Sequence, residues 1–576
     1  MTAQLKPMTV SSFALGMNTR RPDFDLKLTT PPYGRFMREI VNCDLAQAGN
    51  ALKLRRGYTK VLSAAAGNAL WADDTQAYYA NGTALVALAD VANTLTATAV
   101  TGAALSSGAP VSFSTAPFGG AFWTDGVSLG YVLAGVSVPV APPQPIVLPA
   151  VTTGAGTLDA GIYSVAYTYV DAAGRQSAAT APLTVTLAAG SSLVFTLSTA
   201  PAYKLRVFVS LPNGVEVYSA LDFNAGATGA QTLTVLGGVL SACITMGLQN
   251  MPAGRFVRYN NGRLLVAVGN ILFFSKPYMS GLYDPTMDFI QFPTPIEIVE
   301  CVTGEGTYVV ADQTYWFDGD IADTKPITIS PDTAIPGTGV IRPETGDVAW
   351  MSTRGLVLGG SAGKVELPQD DNITVGLTTL GASGFIERDG RKQIVVTLLG
   401  TALAIQSESS QYTSGELVDS ATPFDTWVVN IESGASMRYA NYAFNGFAQI
   451  AGRYYGSKAD GVYLLEGSTD AGALINASIN PGRQDFGSPM RMRMEAAYMT
   501  VGSTGPMHLT ITNDKAEAYT YDTRRNDPEL KQQRLDLGRG LNGNYLSFRV
   551  TTDLGCAFEL AKIELIAVET TRRIAG

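Results

Sequence analysis

The chain has 576 residues, of which 46% are hydrophobic and 15% charged, with a formal net charge of −9 and a single histidine. Its length accommodates several cores, about three or four domains by size alone. The acidic balance excludes a general nucleic-acid binder, which needs a basic face against phosphate. A charged fraction under the roughly 25% of ordinary soluble domains favours contact with other subunits.

Short aromatic and β-branched runs recur, broken by Asx-Gly pairs at Asn81-Gly82, Asp125-Gly126, Asn261-Gly262, Asp318-Gly319, Asp389-Gly390, Asn445-Gly446 and Asp460-Gly461. Such pairs tolerate the positive φ of tight hairpin turns. The pattern predicts an all-β protein with little helix.

Residues 1–60 read as an extended docking arm followed by a short helical or irregular segment. Gly16-Met17-Asn18 and Pro31-Pro32 favour extended or turn backbone. Between 20 and 60 lie nine basic residues (Arg20, Arg21, Lys27, Arg35, Arg38, Lys53, Arg55, Arg56, Lys60) against four acids. The six arginines are the candidate partner-docking residues, for an acidic partner. The N-terminus shows no signal-peptide h-region, so export by that route is not expected.

Residues 61–140 hold the first blade-like strand pairs, such as 76–79 with 84–88 and 121–124 with 129–132. From 61 to 200 a single basic residue, Arg175, faces six aspartates, so like chains repel one another weakly. A proline-rich stretch at 139–149 excludes a membrane helix over the uncharged segment 126–150. Residues 141–245 then change texture. The run 161–170 alternates with period two, and about 90 residues of short strands predict an inserted immunoglobulin- or fibronectin type III-like sandwich.

Residues 246–470 return to blade texture, with strand pairs at 261–268 and 271–275, 308–311 and 315–317, 348–351 and 356–358, 384–386 and 393–396, and 447–450 and 461–465. Their spacing of roughly 40–60 residues fits propeller blades without a strict repeat. Residues 471–576 read as a separate C-terminal β-sandwich, with strands at 509–512, 545–550 and 558–565.

Catalytic chemistry is scarce. One histidine, His508, leaves no supported Ser-His-Asp or Cys-His arrangement and no histidine metal site, and its place at a strand start favours a structural role. Asp73-Asp74 and Asp370-Asp371 are the carboxylate pairs a glycosidase would use, but both read as turn or cap residues, the second alternatively as a calcium loop at 370–372. There is no Gly-Lys-Ser/Thr phosphate loop. Cys43, Cys243, Cys301 and Cys556 are too scattered for a zinc pair and suit a reducing cytoplasm. The C-terminal arginines 483, 491, 493, 524, 525, 534 and 539 alternate with acids and read as solvated strand faces. Catalytic residues, metal ligands and cofactors are therefore all expected to be none.

Three phrases carry a resemblance. Gly16-Met17-Asn18, Val41-Asn42-Cys43-Asp44-Leu45 and Leu52-Lys53-Leu54-Arg55-Arg56-Gly57-Tyr58 resemble a stretch that precedes a β-propeller in virion tail proteins of tailed bacteriophages. Here Gly57 follows the arginines without the proline often found there. The 260–275 hairpin and the phrases 482–489 and 533–540 are similar to that group as well. The resemblance implies a tail hub or nozzle subunit of a short-tailed phage: about six copies ringing the DNA exit channel, retaining the genome and passing it on at ejection. It implies portal, adaptor and tail fibre or spike proteins as partners, transient passage of double-stranded DNA, no membrane partner, and a place in the virion tail after assembly in the host cytoplasm. Propeller loops would line the channel and the inserted sandwich would point outward. The rivals are a receptor- or carbohydrate-binding tail protein, with Tyr454-Tyr455 as sugar-stacking aromatics, and a propeller-fold glycan depolymerase.

Overall fold

The computed structural model describes residues 5–23, 26, 34–46, 51–106, 108–236, 241–369, 372–376, 378–400, 424–488, 490–538 and 540–570. Lys27, Pro31-Pro32, Gly49, Asp370-Asp371, Pro489 and Arg539 lie outside these. The fold is all-β: among the described residues there is no α-helix, and strands form many small antiparallel sheets. The chain divides into two compact units, one of residues 1–99, 297–317 and 326–576, the other of residues 100–296 and 318–325.

The first unit carries four four-stranded antiparallel sheets in a propeller-like series, at 67–99, 298–330, 340–366 and 446–464, and a fifth set of four strands at 380–439 that forms one end of a nine-stranded sheet continuing into the sandwich. Successive sets pack face to face through shared cores. Tyr308, Val310 and Trp316 of one meet Trp350 and Val357 of the next, and Met351 and Leu356 in turn meet Ile394, Val396 and Trp427. Tyr455 and Val462 pack with Leu70 and Tyr79. Inner strands are covered on both faces and read as continuous apolar runs, as in the wholly buried Ile298–Val302 and Val348–Ser352. The 446–464 set takes its fourth strand, Thr59–Ser63, from the start of the chain. In that set Gly446–Ile450 pairs with Arg453–Lys458, and only the latter pairs with Gly461–Leu464, which corrects the two-strand pairing expected there.

The rest of the first unit is a β-sandwich. Its long strands Met492–Ser503 and Phe558–Glu569 pair along their length. Met507–Asn513 and Leu546–Thr552 alternate strictly between buried and half-buried positions, so one face meets the core. This sandwich is not built from the C-terminus alone. Leu5–Val10 adds to Phe558–Glu569, Cys43–Leu45 and Leu52–Leu54 form a hairpin whose second strand also joins it, and Glu39–Val41 bridges Ser436–Tyr439 to Ser478–Gln484. The described residues between 5 and 63 are thus woven through the unit's sheets rather than extended as a docking arm, and the segment expected to be helical or irregular forms the strands Glu39–Val41 and Cys43–Leu45. Met8, Val10, Phe13, Met17, Met37 and Ile40 are buried in the sandwich core, which is the apolar payoff that holds the segment in place.

The second unit has two further four-stranded sets, 112–139 and 256–291, packed through Phe122, Tyr131, Leu264 and Val266. It also holds a seven-stranded sandwich spanning Ala150 to Leu233. Its three-stranded sheet takes the first, fourth and seventh strands, and its four-stranded sheet runs third-second-fifth-sixth. The two sheets share one core, the sandwich architecture of immunoglobulin-like domains, with a strand order of its own. The core is Tyr163, Val165, Tyr167, Phe195, Leu205 and Val207.

One Asp-Gly turn of this unit sets a pH response. Asp125 is buried and accepts backbone N–H bonds from Ser106 at 2.6 Å, Ser128 at 2.7 Å and Val127 at 2.9 Å. Burial by itself would raise its pKa, but these donors overrule it and hold the carboxyl below the usual carboxylate range. The folded pKa is depressed, so the stabilisation is complete above the unfolded value of about 3.9 and is lost as pH falls through the folded one. Asp125→Asn cannot accept with both oxygens. It is expected to lower the denaturation midpoint of this unit at pH 7, with the gap to the parent closing in acid. A gap that persists unchanged in acid would contradict this.

Candidate functional site

Of the six candidate docking arginines, Arg20 and Arg21 are exposed, and their backbone N–H groups are held by the Asn18 side chain. Arg38 is half-buried, donating to the Thr19 and Arg21 carbonyls and paired with Asp23 at 3.3 Å. Arg56 is exposed and donates to Asp389 at 3.0 Å.

Arg35 and Arg55 are buried and cannot meet a partner. Arg35 rests beside the Met8 sulfur, and burial pushes its pKa down to about 10 despite Asp485 and Asp23. Arg55 is the centre of an internal lock. Its guanidinium grips Asp470 through two bonds of 2.8 and 2.5 Å and donates to the Ala440 carbonyl at 2.7 Å, and its Nε donates to Asn42 at 2.8 Å. Burial opposes the charge, yet the Asp470 bond and charge raise the Arg55 pKa above its ordinary value. Asn42 sits at φ +57°, its oxygen accepts Ala440 N–H, and its amide donates to Asn476. Next along, a Cβ on Gly57 would lie 2.1 Å from the Thr469 carbonyl oxygen, so only glycine fits. Tyr58 then packs edge-on against Phe444 and Tyr463 under the Lys458 ammonium, 4.3 Å from its ring centroid. The 41–45 and 52–58 phrases therefore fasten the sandwich hairpin to the blade-like set at 446–464.

Beside this lock lies a charged cleft of about 250 Å³, where the Cys43–Leu45/Leu52–Leu54 hairpin faces the Leu380–Arg388/Arg391–Leu399 hairpin and its Asp389-Gly390 turn. Four cations line it, Lys53, Arg56, Arg388 and Arg391, against two carboxylates, Asp44 and Asp389. Asp44 is engaged by the Tyr439 hydroxyl and by Gln393 at 3.2 Å. Burial, then the Asp44 charge, pushes the Tyr439 phenol well above its ordinary pKa, so it stays protonated and donating.

The remaining candidates resolve as structure. Asp73 accepts the N–H groups of Thr75 and Gln76, as a turn residue does. His508 contacts Asp522 at 2.7 Å on a strand face. Tyr454 and Tyr455 are buried, with the Tyr454 hydroxyl accepting Glu387 N–H, so they offer no sugar-stacking face. None of the four cysteines forms a disulfide. Among the described residues no three His, Cys, Asp or Glu side chains gather as for a metal, and no helix is long and apolar enough to cross a membrane.

No protein-family model and no curated protein matches the chain. Among solved structures it is similar to the crystal structure of the WD40 beta propeller domain of Doa1, at 9% identity and a TM-score of 0.31, over 71% of this chain and 96% of that one. A likeness that slight adds nothing to what the sheets themselves display.

Proposed function

We propose that the chain is a structural, non-enzymatic subunit of a short-tailed phage tail hub or nozzle, forming a ring around the DNA exit channel in the virion tail. The observation that carries this reading is the 41–58 segment. Its resemblance to phage tail proteins falls on Asn42, Arg55, Gly57 and Tyr58, the residues that lock a sandwich to a propeller-like set. A repeated subunit that bears load across a ring needs such a joint, because strain between its parts would otherwise open at the weakest strand edge. Sparse charge over 61–200 supports close packing of like chains.

In this role the acidic net charge lets DNA slide past with few phosphate contacts, and loops constricting the channel hold the end of the genome until receptor engagement favours an open state. Portal, adaptor and fibre or spike proteins are the proposed partners, with Arg20, Arg21 and Arg56 as the exposed members of the docking set. The purified chain is expected to assemble into a closed ring of about six copies, read by native mass spectrometry with negative-stain imaging. Trimers with glycan affinity would instead favour a receptor-binding tail protein.

A further inference from the structure

We propose that the cleft at Arg388 and Arg391 is a binding site for a small oxyanion of the phosphate type. Its cations outnumber its carboxylates by four to two in a chain whose overall charge is negative. The carboxylates are already committed: Asp44 to Tyr439 and Gln393, and Asp389 to Arg56. Arg391 is only loosely served, 3.9 Å from Asp44 and 3.5 Å from Asp389, both beyond good hydrogen-bond length.

Two donors are left over. Arg388 Nη2 and Arg391 Nε are buried and have no protein acceptor. Arg388 is held in place by stacking over Tyr454, 4.9 Å from the ring centroid. A buried guanidinium N–H without an acceptor is costly, and such groups in a native fold point to an ion or water as the missing partner. The cleft volume of about 250 Å³ is far above the roughly 10–15 Å³ needed for one water. Planar guanidinium donors match tetrahedral or planar oxyanions better than a point charge does. Lys53, with 41% of its side chain exposed, adds charge to the site while contacting Glu559 at 3.2 Å.

This inference goes beyond the tail reading and is independent of it, because the cleft lies within one unit of one chain. A chain that never assembles can still bind phosphate, and a ring can form with the cleft unused.

Isothermal titration of the full chain with inorganic phosphate, and separately with acetate, tests it. Saturable phosphate binding is expected, weakened about tenfold or more in Arg388→Gln and several-fold in Lys53→Gln, and unchanged in Lys364→Gln, which pairs with Glu366 and is not part of the cleft lining. If Arg388→Gln fails to fold by circular dichroism, the half-exposed Lys53→Gln decides. Preference for phosphate supports a free or esterified phosphate as the ligand. Preference for acetate over phosphate would overturn the phosphate-type assignment in favour of a carboxylate ligand. No saturable binding of either anion, or equal binding by parent and both cleft variants, would overturn the proposal.

Discussion

Arg55→Met is expected to destabilise the first unit by about 3–5 kcal/mol, the range for removing one partner of a buried ion pair. Asp470 is only 4% exposed and would lose its counterion, while the Ala440 carbonyl and Asn42 each lose a donor. Arg55→Lys is expected to recover little, since an ammonium cannot reproduce the fork that meets Asp470, Ala440 and Asn42 together. Arg55→Met combined with Asp470→Leu should recover part of the loss, because both buried charges then go. Denaturant unfolding followed by tryptophan fluorescence reads this for the transition that includes Trp427, which is fully buried in the first unit. An Arg55→Met midpoint equal to the parent's would show that the lock does not hold the unit together.

Deletion of residues 1–46 is the second large effect. It removes Met8, Val10, Phe13, Met17, Met37, Ile40 and Leu45 from one core. Each such side chain contributes about 1.5–3 kcal/mol on burial, so the set amounts to on the order of 10 kcal/mol even after allowing for a compact unfolded chain. That is comparable with the whole stability of a typical domain, about 5–15 kcal/mol. The deletion also bares one edge of Phe558–Glu569 and removes the bridge between Ser436–Tyr439 and Ser478–Gln484, leaving open strand edges that aggregate. The truncated chain is expected to be insoluble or to lose its native circular dichroism. A soluble, native-like product with the parent's midpoint would restore the picture of a separable arm. Reversing Arg20 and Arg21 to glutamate, both exposed, should leave stability unchanged.

Much of the strand layout was legible because its cause is local. Asn261 and Asp389 adopt φ of +47° and +51°, with Gly262 and Gly390 also positive, and each pair closes a two-residue hairpin. At 460–461 the turn residues are Ala459 and Asp460, with Gly461 opening the next strand. Asn445-Gly446 shares the motif for another reason. Gly446 begins a strand, and a Cβ there would lie 2.6 Å from the Leu70 backbone nitrogen. Asp318-Gly319 enters a longer loop before Ile327. Period-two alternation marked the sandwich strands near 509–512 and 558–565 where they occur.

Long-range partners were not legible. Arg55 stands in a basic run and reads as surface charge, since Asp470, which buries it, is 415 positions away. Leu5–Val10 carries no sign that it pairs with strand residues beyond 560. The cleft has the same origin. The Asp389-Gly390 turn is visible in the sequence, but nothing local sets it beside Lys53 and Arg56. The charge count grouped Arg55 with surface arginines, although its side chain is buried. The segment's arginines divide between an inward lock and an exposed remainder, a division that only burial reveals.

The central claim, a ring-forming tail subunit, is tested most directly by the native mass of the purified chain, measured alone and with virion extract and imaged by negative stain. The account predicts a closed ring of about six copies with a central hole. A chain that stays monomeric even with the extract, or that forms trimers binding glycans, would contradict it.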